Sequence, residues 1–290
     1  MTELSIRPLS PALGVEVTVD LAAALDDALL GELERLYAKH HLLLFRGQDL
    51  PEAAQVRFAR HFGPISHRSP AMRDKDTVMV SNTEPGGILG TGVLYFHSDN
   101  TFFPEPLKAL GLYAIAVPEE GGDTVFSNVR LAYENLPEAL KRKIAGLTSH
   151  QVFDYAGDYN HRTSLESTPP DAQRAMHPLV WDDPDSGARV LFFSELTTAR
   201  IEGIPLAEEE DLIAELHGYI ADPAISYRHK WRAGDFLFWD NIHLQHARMD
   251  FDPSQPRTLR RTPVLDPDGA RRFPHSRDAT LRAVGERRPS

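Results

Sequence analysis

The sequence contains no cysteine. Disulfides, thiolate metal sites and cysteine nucleophiles are excluded, so any metal must be held by nitrogen and oxygen donors. An excess of positive charge is also absent. Lys and Arg number 31 against 42 Asp and Glu, a formal net charge of −11, which argues against a nucleic-acid partner. Apolar runs such as Leu21 to Leu25 fall far short of membrane-spanning length. Met1 to Ile6 lacks the basic-then-apolar pattern of a signal peptide, so a cytoplasmic protein with no membrane partner is expected. The stretch Thr83 to Gly92 carries Gly86, Gly87, Gly90 and Gly92, yet fits neither a phosphate-binding loop nor a dinucleotide fingerprint. It reads as a long loop, either a plain connection or a lid over a site.

What is present is ordinary for a globular protein: 290 residues, 41 % hydrophobic and 25 % charged, enough to bury a sizeable core. Leu25, Leu29, Leu33, Leu36 and Tyr37 follow helical spacing and predict a helix over 26–39. Pro51 suits the first turn of a second helix over 52–62, which Gly63-Pro64 ends. Strands are expected at 41–45, 77–81, 107–117, 123–128, 190–193, 236–239, 242–249 and 257–264. Residues 130–145 and 207–221 read as helices, and 154–177 as a polar insert. The tail after Asp268 is rich in arginine, poor in apolar residues and expected to fray. Many short strands, with helices at the start and as inserts, predict a mainly β jelly-roll core with flanking helices. Residues 1–267 read as a single domain and 268–290 as a tail.

Chemistry concentrates at His97-Ser98-Asp99, within Leu94 to Phe102. Residues two apart on a strand share a face, so this imidazole and carboxylate can grip one side of a metal. With one distant histidine they would form the facial triad of non-haem iron(II) oxygenases. Taken alone, the pair is as compatible with a structural hydrogen bond. Two histidines compete for the third place, His243 and His246, which are three apart and face opposite sides of a strand. Arg257 and Arg261 share a face, while Arg260 points away. A guanidinium beside the metal suits a dicarboxylate cosubstrate, because its planar fork binds a carboxylate through two parallel hydrogen bonds.

These motifs follow one another in a specific order: His97-Ser98-Asp99, Gly121-Gly122-Asp123-Thr124, Gly234-Asp235 through Trp239-Asp240-Asn241 to Gln245-His246, then Arg257 and Arg261. In that order and spacing the chain resembles the TauD/TfdA (taurine dioxygenase and 2,4-dichlorophenoxyacetate dioxygenase) family of Fe(II)- and 2-oxoglutarate-dependent oxygenases, over roughly residues 4–265. The resemblance implies a double-stranded β-helix, a cupin-like fold. It implies His97, Asp99 and His246 as iron ligands, and Thr124 and Arg257 as holders of the distal carboxylate of 2-oxoglutarate. It also implies O2 as cosubstrate, with succinate and CO2 released as an aliphatic C–H is hydroxylated. Arg261 matches an arginine for the substrate's anionic group, and His67 a substrate-side histidine.

Two positions depart from the family pattern: Val93 stands where taurine dioxygenase has a pocket asparagine, and Pro70 where a tyrosine is expected. Taurine is thereby put in doubt, and a small, anionic but more apolar substrate is expected, with Val93, Phe153 and Phe192 facing it. Desaturation or cyclisation would begin with the same step. A halogenase of this fold would lack the carboxylate ligand, which Asp99 supplies. A catalytically inactive jelly-roll binding protein is the rival from another class, and a homo-oligomer is left open.

Overall fold

The computed structural model describes residues 4–153 and 164–280. Its centre is a mixed seven-stranded sheet. Its strand order is Ser5–Pro8, Val15–Thr18, Leu42–Phe45, Phe236–Asp240, Leu107–Ala116, Thr258–Leu265 and Val78–Ser81. Only Val15–Thr18 and Leu42–Phe45 pair in parallel; the other neighbours run antiparallel. Facing it is an antiparallel sheet of four strands in the order Ser226–His229, Thr124–Asn128, Leu244–Arg248 and Leu94–His97. The architecture is mainly β, as the strand-rich pattern predicts.

Alternation along Phe236–Asp240 explains why three layers form. Phe236 and Phe238 point to one side, where they pack with Phe58 and Phe62 of the helix Glu52–Phe62 and with Tyr37 of the helix Asp27–His40. Leu237 and Trp239 point to the other side and meet Phe126 and Leu244 of the facing sheet. A strand with apolar residues at every position is what a sheet covered on both faces requires. The helix Asp27–His40 begins at Asp26, whose side chain accepts the Leu29 N–H, and ends at His41 in the left-handed region, φ 60°.

Several expectations need correction. Pro137 divides the expected 130–145 helix into Val129–Glu134 and Glu138–Ile144. A third sheet, in the order Thr198–Glu202, Thr148–Val152, Arg174–Pro178 and Arg277–Asp278, was not anticipated. Its strand Arg174–Pro178 falls inside the stretch read as a polar insert, of which residues 154–163 lie outside the described residues. Nor does the tail fray throughout. Phe273 is buried and stacks on Trp181 at 5.0 Å, Arg272 pairs with Asp266 and Asp183, and Arg277–Asp278 completes the third sheet. Residues 281–290, including Arg282, Arg287 and Arg288, lie outside the described residues. Among the described residues no helix is long and apolar enough to cross a membrane.

The Phe236–Phe238 face should dominate the stability of the helical side. Phe238 is fully buried and touches Tyr37, Phe58 and Phe62. Phe238→Ala is expected to cost about 3–5 kcal/mol of unfolding free energy, read from urea denaturation of the two proteins. A loss below about 1 kcal/mol would show that this layer collapses around the gap.

Candidate metal centre and substrate cavity

Three donors converge at the end of the four-stranded sheet. His97 closes the strand Leu94–His97, and the antiparallel register sets His246 directly opposite it. Asp99 lies two residues on, past the strand end, so the shared face expected from strand alternation is not what orients it. Asn241 does that. The fully buried Asn241 Oδ1 accepts the Asp99 N–H at 2.8 Å, and its Nδ2 donates to the carbonyls of Asp99 and Leu107, both at 2.9 Å. The ligand-capable atoms of His97, Asp99 and His246 all lie within 4.8 Å of one another.

Each donor is held in place. His97 Nδ1 donates to the Tyr95 carbonyl at 2.7 Å, which turns Nε2 toward Asp99 Oδ1, 3.3 Å away. Burial, then the neighbouring His97, pushes the His246 pKa down to about 3, so its imidazole is neutral. Among the described residues Nδ1 of that ring, which is buried, has no hydrogen-bond partner, and the ring packs against Phe126 and Trp239. Burial acts to raise the Asp99 pKa, but the Arg261 guanidinium and the His97 hydrogen bond outweigh it and hold the carboxyl well below its ordinary range. Two imidazoles and one carboxylate suit a divalent transition metal.

His243 is the wrong histidine for this centre. It lies in the turn before Leu244–Arg248, where Nδ1 meets Asp240 Oδ2 at 2.8 Å and Nε2 meets Asp183 Oδ2 at 3.4 Å. His41, Asp240 and His243 form a second group of closely spaced donors. The His41 and His243 rings stack at 4.6 Å and 17°, and the Nδ1 atoms of both face Asp240 Oδ2, at 3.3 and 2.8 Å. Their shared partner is the carboxylate itself.

Arg257 and Arg261 enter the same cleft as the triad, and Arg260 points away to Gln55 and the Leu50 carbonyl. Arg257 is buried, its Nε and Nη2 both donating to the Gly122 carbonyl, at 3.2 and 3.0 Å. Among the described residues no carboxylate stands within ion-pair distance of it. Burial, then the Arg248 charge, lowers its pKa to about 9, which still leaves a cation at neutral pH. Gly122 sits at φ +64°, and a Cβ there would lie 3.0 Å from Arg257 Nε, so glycine leaves room for the guanidinium. Thr124 lines the same cleft, and its Oγ1 accepts from Trp231 Nε1 at 3.0 Å, leaving its own hydroxyl proton to donate. Arg261 also carries a partner inside the cleft. Its partner is Asp99, whose Oδ2 accepts from Nη2 at 2.8 Å.

Beyond the triad opens a cavity of about 420 Å³. Ile88, Leu89, Leu94, Phe102, Phe153 and Leu196 give it apolar walls, with Asp99 and Arg261 at one end. Phe153 is where the sequence placed it, and Pro70 lines the wall too. Three expected substrate residues are not. His67 is half exposed and paired with Asp76 at 3.1 Å, Phe192 packs between His177 and Phe273, and Val93 borders neither cavity. Leu89, Asn241 and Arg248 were missed. Of these only Asn241 stood in a motif already singled out, Trp239-Asp240-Asn241.

Known proteins resemble this chain in sequence and in fold. A family model described as taurine catabolism dioxygenase TauD, TfdA family matches residues 5–262. The chain is similar to an alpha-ketoglutarate-dependent 2,4-dichlorophenoxyacetate dioxygenase of Cupriavidus pinatubonensis, 34 % identical over 285 residues that cover 90 % of this chain and 97 % of that protein. It is similar as well to an alpha-ketoglutarate-dependent sulfate ester dioxygenase of Pseudomonas putida, 32 % identical and covering 89 % and 88 %. Among solved structures, AAD-2 in complex with Mn(II) and N-oxalylglycine superposes with a TM-score of 0.77 at 28 % identity, covering 91 % of this chain and 98 % of that one. A taurine dioxygenase from Burkholderia xenovorans superposes with a TM-score of 0.75 at 28 % identity, covering 92 % and 94 %.

The His243 cluster generates a pH prediction. Burial acts to lower the His243 pKa, but the Asp240 charge and the Asp183 hydrogen bond outweigh it and raise it from 6.5 to about 9. A pKa raised by folding contributes stability that is fully present below about pH 6.5 and lost as pH rises through about 9, here on the order of 3 kcal/mol. Denaturation measured from pH 6 to 9.5 should show this decline in the wild type. It should be largely missing in His243→Gln, which should retain metal binding. An equal decline in both proteins would remove His243 as its source.

Proposed function

The chain belongs to the TauD, TfdA family, and on that premise we propose that His97, Asp99 and His246 hold its iron, Arg257 and Thr124 the far carboxylate of 2-oxoglutarate, and Arg261 the anionic group of an otherwise apolar substrate. The protein is an Fe(II)- and 2-oxoglutarate-dependent dioxygenase that uses O2. The observation that carries the assignment is the convergence of the His97-Asp99-His246 donors and two guanidiniums, Arg257 and Arg261, on one cleft. Residues 1–267 are proposed as one oxygenase domain, on which the described part of the tail packs.

When bound, iron(II), 2-oxoglutarate and O2 supply the oxidising chemistry, with release of succinate and CO2. The protein's part is placement. Arg261 occupies Asp99 Oδ2 and so reserves Oδ1, the oxygen beside His97 Nε2, for the metal. Asn241 fixes the Asp99 backbone, which keeps that oxygen aimed. Arg257 presents a desolvated cation to a carboxylate, and Thr124 adds a hydroxyl donor. The apolar wall of the larger cavity excludes water from the reacting C–H.

The substrate reading rests on Arg261 at the base of that wall, and on relatives whose names are those of a 2,4-dichlorophenoxyacetate and a sulfate ester dioxygenase. A space of about 420 Å³ suits an aryl or alkyl anion better than a molecule as small and polar as taurine. Neither the halogenase nor the inactive binding protein accounts for an intact Asp99 and an arginine poised for a dicarboxylate.

Succinate release with Fe(II) tests both levels. Apolar anions such as 2,4-dichlorophenoxyacetate or a medium-chain alkyl sulfate should stimulate it strongly, taurine weakly and neutral methyl esters hardly at all. If esters stimulate as well as the acids do, the role of Arg261 is wrong. His246→Ala should no longer bind Fe(II) in calorimetric titration; retention of iron would overturn the triad. Arg257→Ala should weaken 2-oxoglutarate binding by about 30-fold or more, as expected for one partner of a buried charged pair. Arg257→Lys should recover only part of that, for want of the planar fork.

A further inference from the structure

The glycine-rich stretch 83–92 is tied down by one side chain that the proposed chemistry does not use. Arg248 donates to three carbonyls of this segment: Nη1 to Leu89, Nη2 to Thr91 at 2.6 Å and Nε to Gly92 at 2.8 Å. Leu89 is held at φ 50°, a left-handed conformation that a leucine adopts at a cost. Its side chain forms part of the wall of the large cavity and also borders the cleft of Arg257 and Thr124. The clamp therefore fixes a residue shared by both spaces.

Arg248 is 4 % exposed, and among the described residues no carboxylate lies within ion-pair distance of it. Strand register puts it opposite Thr124 on one side and Leu94 on the other, and its guanidinium lies over the same Phe251 ring as that of Arg257, at 5.9 and 5.7 Å. Two buried cations share one region, and among the described residues the acids that act on them, Asp250 on Arg248 and Asp123 on Arg257, stand beyond ion-pair distance. Arg248 satisfies its donors with carbonyl oxygens, which leaves its charge without a directly paired carboxylate. A dianion entering the cleft supplies that counter-charge.

We infer that Arg248 is a positioning residue through which 2-oxoglutarate in the cleft consolidates the 89–92 backbone, and with it the Leu89 wall of the substrate cavity. This rests on the reading of Arg257 and Thr124 as the 2-oxoglutarate site. Cosubstrate binding and substrate fit are then coupled through one guanidinium, and the cavity acquires its final shape only once the cleft is filled. A brace with a purely structural role would hold the segment equally with or without the dianion.

Hydrogen exchange of peptides covering 83–93, with Mn(II) present and 2-oxoglutarate added or omitted, separates the two. In the wild type, 2-oxoglutarate should slow exchange of the 89–92 amides by about tenfold or more, a tightening of the order of 1.4 kcal/mol. In Arg248→Gln the slowing should fall below about twofold, while calorimetric 2-oxoglutarate affinity stays within about fivefold, since Arg257 and Thr124 remain. Arg248→Lys keeps the charge but not the fork, is the variant expected to fold in any case, and should give intermediate protection. Three results would overturn the inference. One is full 2-oxoglutarate-dependent protection in both variants. Another is a wild-type segment unchanged by 2-oxoglutarate that calorimetry shows to be bound, which leaves the cosubstrate site standing. The third, no 2-oxoglutarate binding by the wild type, overturns the cosubstrate reading as well.

Discussion

The site depends on the register of one strand. Leu244–Arg248 lies between Thr124–Asn128 and Leu94–His97, which sets His246 opposite both Phe126 and His97, and Arg248 opposite both Thr124 and Leu94. Because strand side chains alternate, His246 and Arg248 face the same interior, one toward His97 and Asp99 and one toward the glycine-rich segment. A slip of one residue would turn both out of the cleft and bring Gln245 and Ala247 in. Buried Phe126 and Leu244 in the core between the sheets oppose that slip, since either would lose its apolar surroundings.

Charge is distributed against the protein's overall sign. The chain carries a formal net charge of −11, yet the cleft walls hold Arg248, Arg257 and Arg261 against the single carboxylate of Asp99. The excess of two positive charges there is desolvated, and its effect is larger than that of surface charge. Such a cleft draws anions in while the acidic exterior discourages polyanions. Asp99 is consequently balanced twice, by Arg261 on Oδ2 and by whatever cation its Oδ1 faces, and an anion that competes for Arg261 would alter how firmly Asp99 is held.

Much of this was legible in the sequence, for identifiable reasons. The helices Asp27–His40 and Glu52–Phe62 and the strands around the central sheet have apolar residues at the period their burial demands. The third sheet gave no such signal, because its interior is polar. Gln151 Nε2 donates to Ser149 and Thr198, at 3.0 and 2.9 Å, and its Oε1 accepts from Thr101 at 3.2 Å and from Thr197. A strand buried through hydrogen bonds rather than apolar contacts has no hydrophobic alternation to read. The tail misled for a similar reason. An arginine-rich run looks solvated until Trp181 and three aspartates, Asp183, Asp185 and Asp266, are seen to receive Arg272.

The site residues were found by an argument that was only partly right. Strand alternation was meant to pair His97 with Asp99, to part His243 from His246 and to bring Arg257 beside Arg261. In the structure Asp99, His243 and Arg257 all stand just outside their strands. Pleating cannot fix residues there, and a side chain hydrogen-bonded to the backbone does so in each case. Asn241 accepts the Asp99 N–H, Asp240 Oδ1 accepts those of Ile242 and His243, and Asn82 Oδ1 accepts that of Arg257 at 2.8 Å. Strand ends are where backbone groups lose their ladder partners, so a short polar side chain can capture them and choose the direction the chain takes next. The functional groups thus sit where geometry is set by three side chains rather than by the sheet. Asn241 and Asn82, which aim Asp99 and Arg257, belong to this centre as fully as the candidate metal donors do, although they touch nothing that reacts.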